Sequence, residues 1–275
     1  MTIRLAVDAR KLTDFGIGTY LSHLLAGLAW RGEYDLTVVI RPEHEKRVAT
    51  LAPEARTIPV SARGYGFREH VALPAALWRE RLDLVHVPHY VVPHFVPRPF
   101  VVTVHDVIQL FYPPQGRSIQ ALLYLRFVLR SALRRARRVI TVSRTSRRDL
   151  ISLFGADPDR VDVVQNGVDD RLAERPSADR MEEVKQRYGL RPPLVLVVGN
   201  DKPHKNLDVV LRAFHLACRE RSLPGQLVFV GGVGRDHPLT VRAHRLGLDG
   251  RVCGLGRVSQ PDLHALYHLS AVLLH

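Results

Sequence analysis

Apolar residues in this chain come in short continuous runs rather than in alternation with polar ones. In the first part of the chain Ile3–Asp8, Leu36–Ile40, Leu84–Val87, Phe100–Val104, Val139–Val142 and Val161–Val164 read as strands. Leu194–Val198, Leu227–Val230 and Ala271–Leu274 repeat the signal further on, with a weaker strand at Arg251–Cys253. Unbroken apolar strands belong to a parallel sheet that helices cover on both faces. Segments of helical period lie between them, among them Thr19–Ala29, Met181–Tyr188 and Leu207–Arg219. Strand and helix alternating over this length predict an α/β fold of doubly wound units.

The pattern breaks once. After Val161–Val164 come Gln165-Asn166-Gly167-Val168 and the polar, strand-free stretch Asp169–Arg180. Gly189 then closes the helix Met181–Tyr188, and Pro192-Pro193 precede a fresh strand. Residues 1–170 read as one domain, 171–192 as a linker with a short helix, and 193–275 as a second, partial domain. That second part stops at Leu273-Leu274-His275, the carboxyl end of a buried-type strand. In an open α/β sheet the next loop and helix begin there, at the edge where ligands bind. The expectation is therefore a C-terminally truncated piece of a longer protein, in preference to a minimal domain ending on an edge strand.

Composition narrows the class. With 46% hydrophobic and 24% charged residues the chain is globular rather than disordered. Cys218 and Cys253 are too few for a disulfide framework or a cysteine-based zinc site. No run approaches the ~18–20 apolar residues of a membrane span. The opening Met-Thr-Ile-Arg-Leu-Ala-Val-Asp runs straight into a strand without a leader. A soluble protein of a reducing, cytoplasmic compartment is expected.

The charge is uneven. The net value is +13, and 35 of the 40 basic residues are arginines. Ten arginines and no acidic residue lie between Arg117 and Arg148. Arg126, Arg130, Arg134 and Arg137 recur at helical spacing beside an apolar face of Leu122, Leu125, Leu129, Ala132 and Leu133. This stripe reads either as a solvated helix face or as a contact with an anionic membrane surface. Nucleic acid is disfavoured, because Tyr124 and Phe127 are the only aromatics available to interleave and fit a core equally well.

Three segments could carry chemistry. Asp8-Ala9-Arg10 ends the first strand, and Gly16-Ile17-Gly18-Thr19-Tyr20 opens a helix. Glycines there let backbone N–H groups approach a phosphate, or simply make a tight turn. Tyr20 and Leu21 stand where a dinucleotide fingerprint needs its third glycine, which argues against a nicotinamide cofactor. His105-Asp106 follows Phe100–Val104, so His105 either hydrogen-bonds a sugar or phosphate, with Asp106 orienting its ring, or serves as a core histidine. Asn200-Asp201-Lys202-Pro203-His204-Lys205-Asn206 follows another strand, and Lys202 and Lys205 suit a diphosphate leaving group or a solvated loop. His86, His89 and His94 have a zinc-like spacing, but Pro88, Pro93 and Pro97 interrupt it, and no metal is assigned.

Taken in order, these segments resemble glycosyltransferase family 4, whose members are retaining nucleotide-sugar transferases with two Rossmann-like domains (the GT-B fold). The match runs through Asp8-Ala9-Arg10 and Gly16-Ile17-Gly18-Thr19-Tyr20, Thr103-Val104-His105-Asp106, Val139-Ile140-Thr141-Val142-Ser143 and Asn166-Gly167-Val168. It continues through Val198-Gly199-Asn200, Pro203-His204-Lys205-Asn206-Leu207, Val228-Phe229-Val230-Gly231-Gly232 and Gly254-Leu255-Gly256-Arg257-Val258. The subgroup it looks most like includes mannosyltransferases of polysaccharide assembly.

The resemblance implies transfer of a hexose, of mannose or glucose type, from a nucleotide-sugar donor to a glycan or lipid-linked acceptor. It implies a donor site of Gly16, Ile17, Gly18, Asn200, Lys202, Lys205, Gly231, Gly232 and Val258, with His105 and Asp106 at the transferred sugar. Front-face departure and attack, with the diphosphate as its own base, needs no cofactor and no obligatory metal. The family often has an arginine where Asn200 stands. Its glutamate-rich sugar-binding loop would begin just after Leu274, so this polypeptide is expected to be an incomplete fragment with low activity alone. A membrane-peripheral position on the cytoplasmic face is the implied location. A non-catalytic polyanion- or membrane-binding protein and a GT-B-type nucleotide-sugar epimerase are the alternatives.

Overall fold

The computed structural model describes residues 2–61, 69–97, 99–112, 118–221 and 223–275. The chain divides into two compact units, Met1–Gly167 and Val168–His275.

The first unit runs β1 (Ile3–Asp8), α1 (Phe15–Arg31), β2 (Tyr34–Ile40), α2 (Glu45–Leu51), β3 (Arg56–Pro59), α3 (Glu69–Trp78), β4 (Leu84–Val87) and β5 (Phe100–Val104). It continues with α4 (Ile108–Phe111), α5 (Ile119–Arg135), β6 (Arg138–Thr141), α6 (Arg144–Phe154) and β7 (Val161–Val163). The seven strands form one parallel sheet in the order β3-β2-β1-β4-β5-β6-β7. Alternate residues of each strand enter opposite layers, which is why the strands are apolar throughout. Leu5, Val7, Val38 and Ile40 pack with α1 and α2. Ala6, Val39, Val85 and Val102 face the layer built by α3, α5 and α6.

The second unit runs α7 (Ala178–Tyr188), β8 (Leu194–Gly199), α8 (Leu207–Arg221), β9 (Gln226–Gly231), α9 (Pro238–Arg245), β10 (Val252–Gly254), α10 (Gln260–Leu269) and β11 (Ser270–Leu274). Its four strands are parallel in the order β10-β9-β8-β11. Val197, Leu227 and Phe229 pack on α8 and α9. Leu194, Leu196, Val228 and Val230 pack on α7 and α10.

Residues 178–188, expected within a linker, belong to the second unit as α7. Asp262 of α10, almost fully buried, accepts from Tyr188 Oη at 2.7 Å and Arg187 Nη1 at 3.0 Å, and is ion-paired with Arg180. Those charge-assisted bonds fasten α7 to α10.

Two further expectations change. Helix α1 begins at Phe15 rather than Thr19, so Gly16, Ile17 and Gly18 lie in its first turn. The arginine stripe is shorter than its spacing suggests. Helix α5 ends at Arg135, Ala136 turns to an extended conformation, and the Arg137 N–H donates to Phe100 O at 2.8 Å. Arg137 is thus drawn into the approach to β6, and only Arg126, Arg130 and Arg134 share the helix face. Arg117 lies outside the described residues.

Candidate functional site

In each sheet the chain order reverses once, between β1 and β4 in the first unit and between β8 and β11 in the second. Loops at the carboxyl ends of strands diverge on either side of such a reversal, and ligands of open α/β sheets bind there. The residues singled out from the sequence gather at these two places.

In the first unit, Asp8 at the end of β1 holds Arg10 in a buried two-point ion pair, Nε–Oδ1 2.8 Å and Nη2–Oδ2 2.7 Å. Arg10, Lys11, Ile17, Arg41, Pro88 and His89 line a pocket with Asp8. His105, just past β5, stands beside it. The His105 ring meets the edge of Tyr20 at a centroid distance of 4.8 Å and takes a hydrogen bond to the Pro88 backbone. Its Nε2 is buried and has no partner among the described residues. The Pro88 bond therefore uses Nδ1 as donor, which leaves Nε2 of the neutral ring a bare acceptor. Burial lowers the His105 pKa, against the Pro88 bond and the charge of Asp106, so the ring is neutral at pH 7.

Asp106 does not orient this ring. It is exposed, and its Oδ1 accepts from the Ile108 N–H at 3.0 Å, two residues on at the start of the short α4. The orienting residues are Pro88, Tyr20 and, behind them, Thr103 and His86. Thr103 Oγ1 lies 2.8 Å from His86 Nε2 and 3.3 Å from the Tyr20 hydroxyl. Burial pushes the His86 pKa down to about 4. His89 is also buried, accepts from the Val91 N–H at 3.1 Å, and is held well below the ordinary histidine value by burial first and then by the nearby charges of Lys11 and Arg10. Periodicity could not separate these roles, because His86, Thr103 and Tyr20 meet only across neighbouring strands and α1.

The two glycines of α1 differ. A Cβ on Gly18 would lie 2.4 Å from the Leu12 carbonyl oxygen, so packing requires glycine there. Gly16 faces open space, and the N–H groups of the first helical turn at Gly16 and Ile17 point out from the positive end of a 17-residue helix.

In the second unit backbone hydrogen bonds lace together the loops after β8, β9 and β10. Gly232 N–H donates to Gly199 O at 2.7 Å, Gly231 N–H to Gly256 O at 2.7 Å, and Gly256 N–H to Val233 O at 2.8 Å. A Cβ on Gly231 or Gly232 would fall 2.3 Å from Gly199 O or Asp201 N respectively. The result is a side-chain-free cradle at the sheet edge, with Val258, partly buried, packed against the core cluster of α7 and α10. The Asn200 Oδ1 is buried there without a partner among the described residues. Lys205 closes over the cradle: its Cε lies 4.0 Å from the position of a Gly199 Cβ, and its Nζ 3.5 Å from His275 Nε2 just past β11. Lys202 turns elsewhere, into a cleft it lines with Asp201, Asp208, His237 and Arg242. His237 Nε2 lies 2.8 Å from Asp201 Oδ2 and its Nδ1 accepts from Leu239 N–H, a tie the sequence reading missed.

Two parallel α/β units, each opening at the carboxyl edge of its sheet and the second carrying a glycine cradle topped by lysine, define a Rossmann-like architecture of GT-B type. The chain belongs to glycosyltransferase family 4: residues 16–172 match the model Glycosyltransferase Family 4, and residues 178–275 match Glycosyl transferases group 1. O-antigen chain mannosyltransferase B of Escherichia coli is 30% identical over 186 residues, 67% of this chain and 48% of that protein. D-inositol 3-phosphate glycosyltransferase of Mycobacterium avium (strain 104) is 36% identical over 138 residues, 48% of this chain and 31% of the relative. The chain thus spans about half or less of the length of these curated relatives. Among solved structures, Anabaena Alr3699/HepE in complex with UDP-glucose superposes with a TM-score of 0.74 at 20% identity, over 99% of this chain and 73% of its own. WaaG, a glycosyltransferase involved in lipopolysaccharide biosynthesis, superposes with a TM-score of 0.69 at 16% identity, over 98% and 74%. These two share the fold.

Proposed function

We propose that the protein transfers a hexose, of mannose or glucose type, from a nucleotide-sugar donor to a glycan or lipid-linked acceptor with retention of configuration. The observation that carries the proposal is the cradle of Gly199, Gly231, Gly232 and Gly256 with Lys205 laid across it. Backbone at these positions can approach a diphosphate closely, and a half-buried ammonium counters the charge that grows as the glycosyl–phosphate bond breaks. Asn200 offers its orphaned Oδ1 to a donor hydroxyl, and the backbone around Val258 stands at the nucleobase end. Lys202, turned into its own cleft, is assigned the outer charge of the loop.

On the first unit, the bare Nε2 of His105 accepts a hydrogen bond from a hydroxyl of the transferred sugar. The first turn of α1 presents the Gly16 and Ile17 amides to phosphate or acceptor. Relatives named for mannose transfer and a structural neighbour holding UDP-glucose support a hexose donor. The reaction proposed is departure of the nucleoside diphosphate and attack of an acceptor oxygen on the same face, its proton passing to the departing phosphate. A cytoplasmic protein acting at the inner membrane face is the accompanying reading.

The test is thermal stabilisation by UDP-glucose and GDP-mannose, followed by product analysis. Saturation at about 100 times Kd is expected to add about 2.7 kcal/mol to stability, and transfer to give a product of the donor's anomeric configuration. A chain unmoved by any nucleotide sugar overturns the reading, and a released nucleotide sugar with an altered sugar favours the epimerase.

A further inference from the structure

The arginine stripe of α5 is the feature of the sequence that sugar transfer leaves unused. The helix turns Leu125, Val128, Leu129, Ala132 and Leu133 into the core. On the opposite side, Ile119, Leu123, Arg126, Phe127, Arg130 and Arg134 fall within an arc of about 100° at about 100° per residue. All six are exposed. The apolar ones are strongly so, Ile119 at 75%, Phe127 at 69% and Leu123 at 61%. The helix thus has an apolar core face and a second, outward face that is apolar in its first turns and cationic in its last.

Among the described residues no carboxylate neutralises that face. Arg126 lies over the Phe154 ring at 5.7 Å and Arg130 donates to the Leu153 carbonyl at 3.3 Å. Among the described residues neither they nor Arg134 make an ion pair with a carboxylate, and α5 itself contains no acid. Two more exposed aromatics lie on elements tied to the carboxyl end of the helix. Arg135 donates to the carbonyls of Val92, Pro93 and His94 and so pins the loop that carries Phe95. The Phe95 carbonyl in turn accepts from the Trp78 indole at 2.7 Å, and both rings are two-thirds exposed.

A solvated helix face has no reason to align Ile119, Leu123 and Phe127. A nucleic-acid surface uses arginines and stacking rings, and has no use for an isoleucine–leucine row. A surface that offers both phosphates and hydrocarbon matches both halves of the face. We propose that the outer face of α5 docks the protein on an anionic phospholipid bilayer. Ile119, Leu123 and Phe127 enter the headgroup layer, and Arg126, Arg130 and Arg134 sit on lipid phosphates. The inference stands apart from the donor reading, since neither Lys205 nor His105 takes part in it.

The test is co-sedimentation of the 275-residue chain with phosphatidylcholine vesicles, with and without about 30% phosphatidylglycerol. Binding is expected only to the anionic vesicles. Each arginine near such a surface strengthens binding about fivefold, so R126Q/R130Q/R134Q is expected to bind roughly 100-fold more weakly. L123S/F127S is expected to lose at least tenfold while keeping its arginines, and to become fully releasable by salt. Equal binding to both vesicle types overturns the proposal, as does failure to bind either. It is likewise overturned if L123S/F127S binds like the parent, or if a short DNA duplex binds more tightly than the anionic vesicles. The substituted side chains are exposed, and unchanged melting temperatures for both variants separate lost docking from lost fold.

Discussion

Gly231 and Gly199 meet backbone to backbone: a Cβ on Gly231 would stand 2.3 Å from the Gly199 carbonyl oxygen, and Gly231 itself has φ +112°. Even alanine there meets both a clash and a backbone region that L-residues rarely adopt. Gly231→Ala is expected to destabilise the chain by about 1–3 kcal/mol, measured by urea unfolding. It is also expected to abolish the thermal shift produced by nucleotide sugars. A variant that keeps both stability and the shift would remove the cradle from the donor site.

The two lysines of the 200–206 loop are separable. Lys205 lies against Gly199 while Lys202 faces the Asp201–Arg242 cleft. Lys205→Ala is expected to lower kcat by about 10²–10³, the usual effect of removing one preorganised charge at a developing anion. Lys202→Ala is expected to act chiefly on donor KM and by less than tenfold. Steady-state kinetics of the two variants decide the assignment, and equal losses would refute it.

His105 makes a prediction in pH. Burial holds its pKa below the ordinary value of 6.5, so the neutral ring with a free Nε2 persists down to that value. The kcat/KM profile is expected to be flat from neutrality to the ordinary histidine range and to fall only on its acid side. His105→Ala is expected to lose about tenfold in kcat/KM, the value of roughly one hydrogen bond, and to flatten that acid limb. An unchanged acid limb in the variant would assign it to another group.

His86 predicts an acid weakness of the first unit. Its pKa is lowered to about 4 in the folded chain, against about 6.5 unfolded. The unfolded chain takes up the proton first, so the stability His86 contributes is fully present above pH 6.5 and is lost as pH falls toward 4. The difference amounts to about 3 kcal/mol. Urea midpoints measured from pH 7 to 4 are expected to fall accordingly, and His86→Gln to remove that part of the slope.

Asp262 is the anchor of α7. Its carboxylate is held below its ordinary range: burial raises it, but bonds from Tyr188 and Ser259 and the Arg187 charge outweigh that. Asp262→Ala is expected to cost about 1.5–3 kcal/mol, seen as a lowered melting temperature, with α7 amides exchanging faster.

The strands were legible because both faces of a parallel sheet are buried, so an unbroken apolar run marks each one. Arg56–Pro59 escaped because it is a half-exposed edge strand with only Ile58 strongly apolar and a proline at its end. Helix α3 carries Pro74 in its interior, against the usual sense of that residue. The Gly-x-Gly, the His-Asp pair and the lysine loop could be placed at strand ends from sequence. The partners could not: Asp106 and His105 are adjacent in the chain yet separate in role, while Pro88 and Tyr20, far away in sequence, hold the ring. The outward turn of Phe127 likewise depends on which face of α5 the sheet claims.

The interior position of β1 in its sheet bears on how this protein could be handled. Its amino end lies at the edge closed by the Arg4–Asp83 ion pair at 2.7 Å, and its carboxyl end leads to Asp8 and the first-unit pocket. A six-residue strand is about 20 Å long. A chain immobilised through its amino terminus on a sensor chip would therefore hold this pocket on the side away from the tether, open to ligand flowing past.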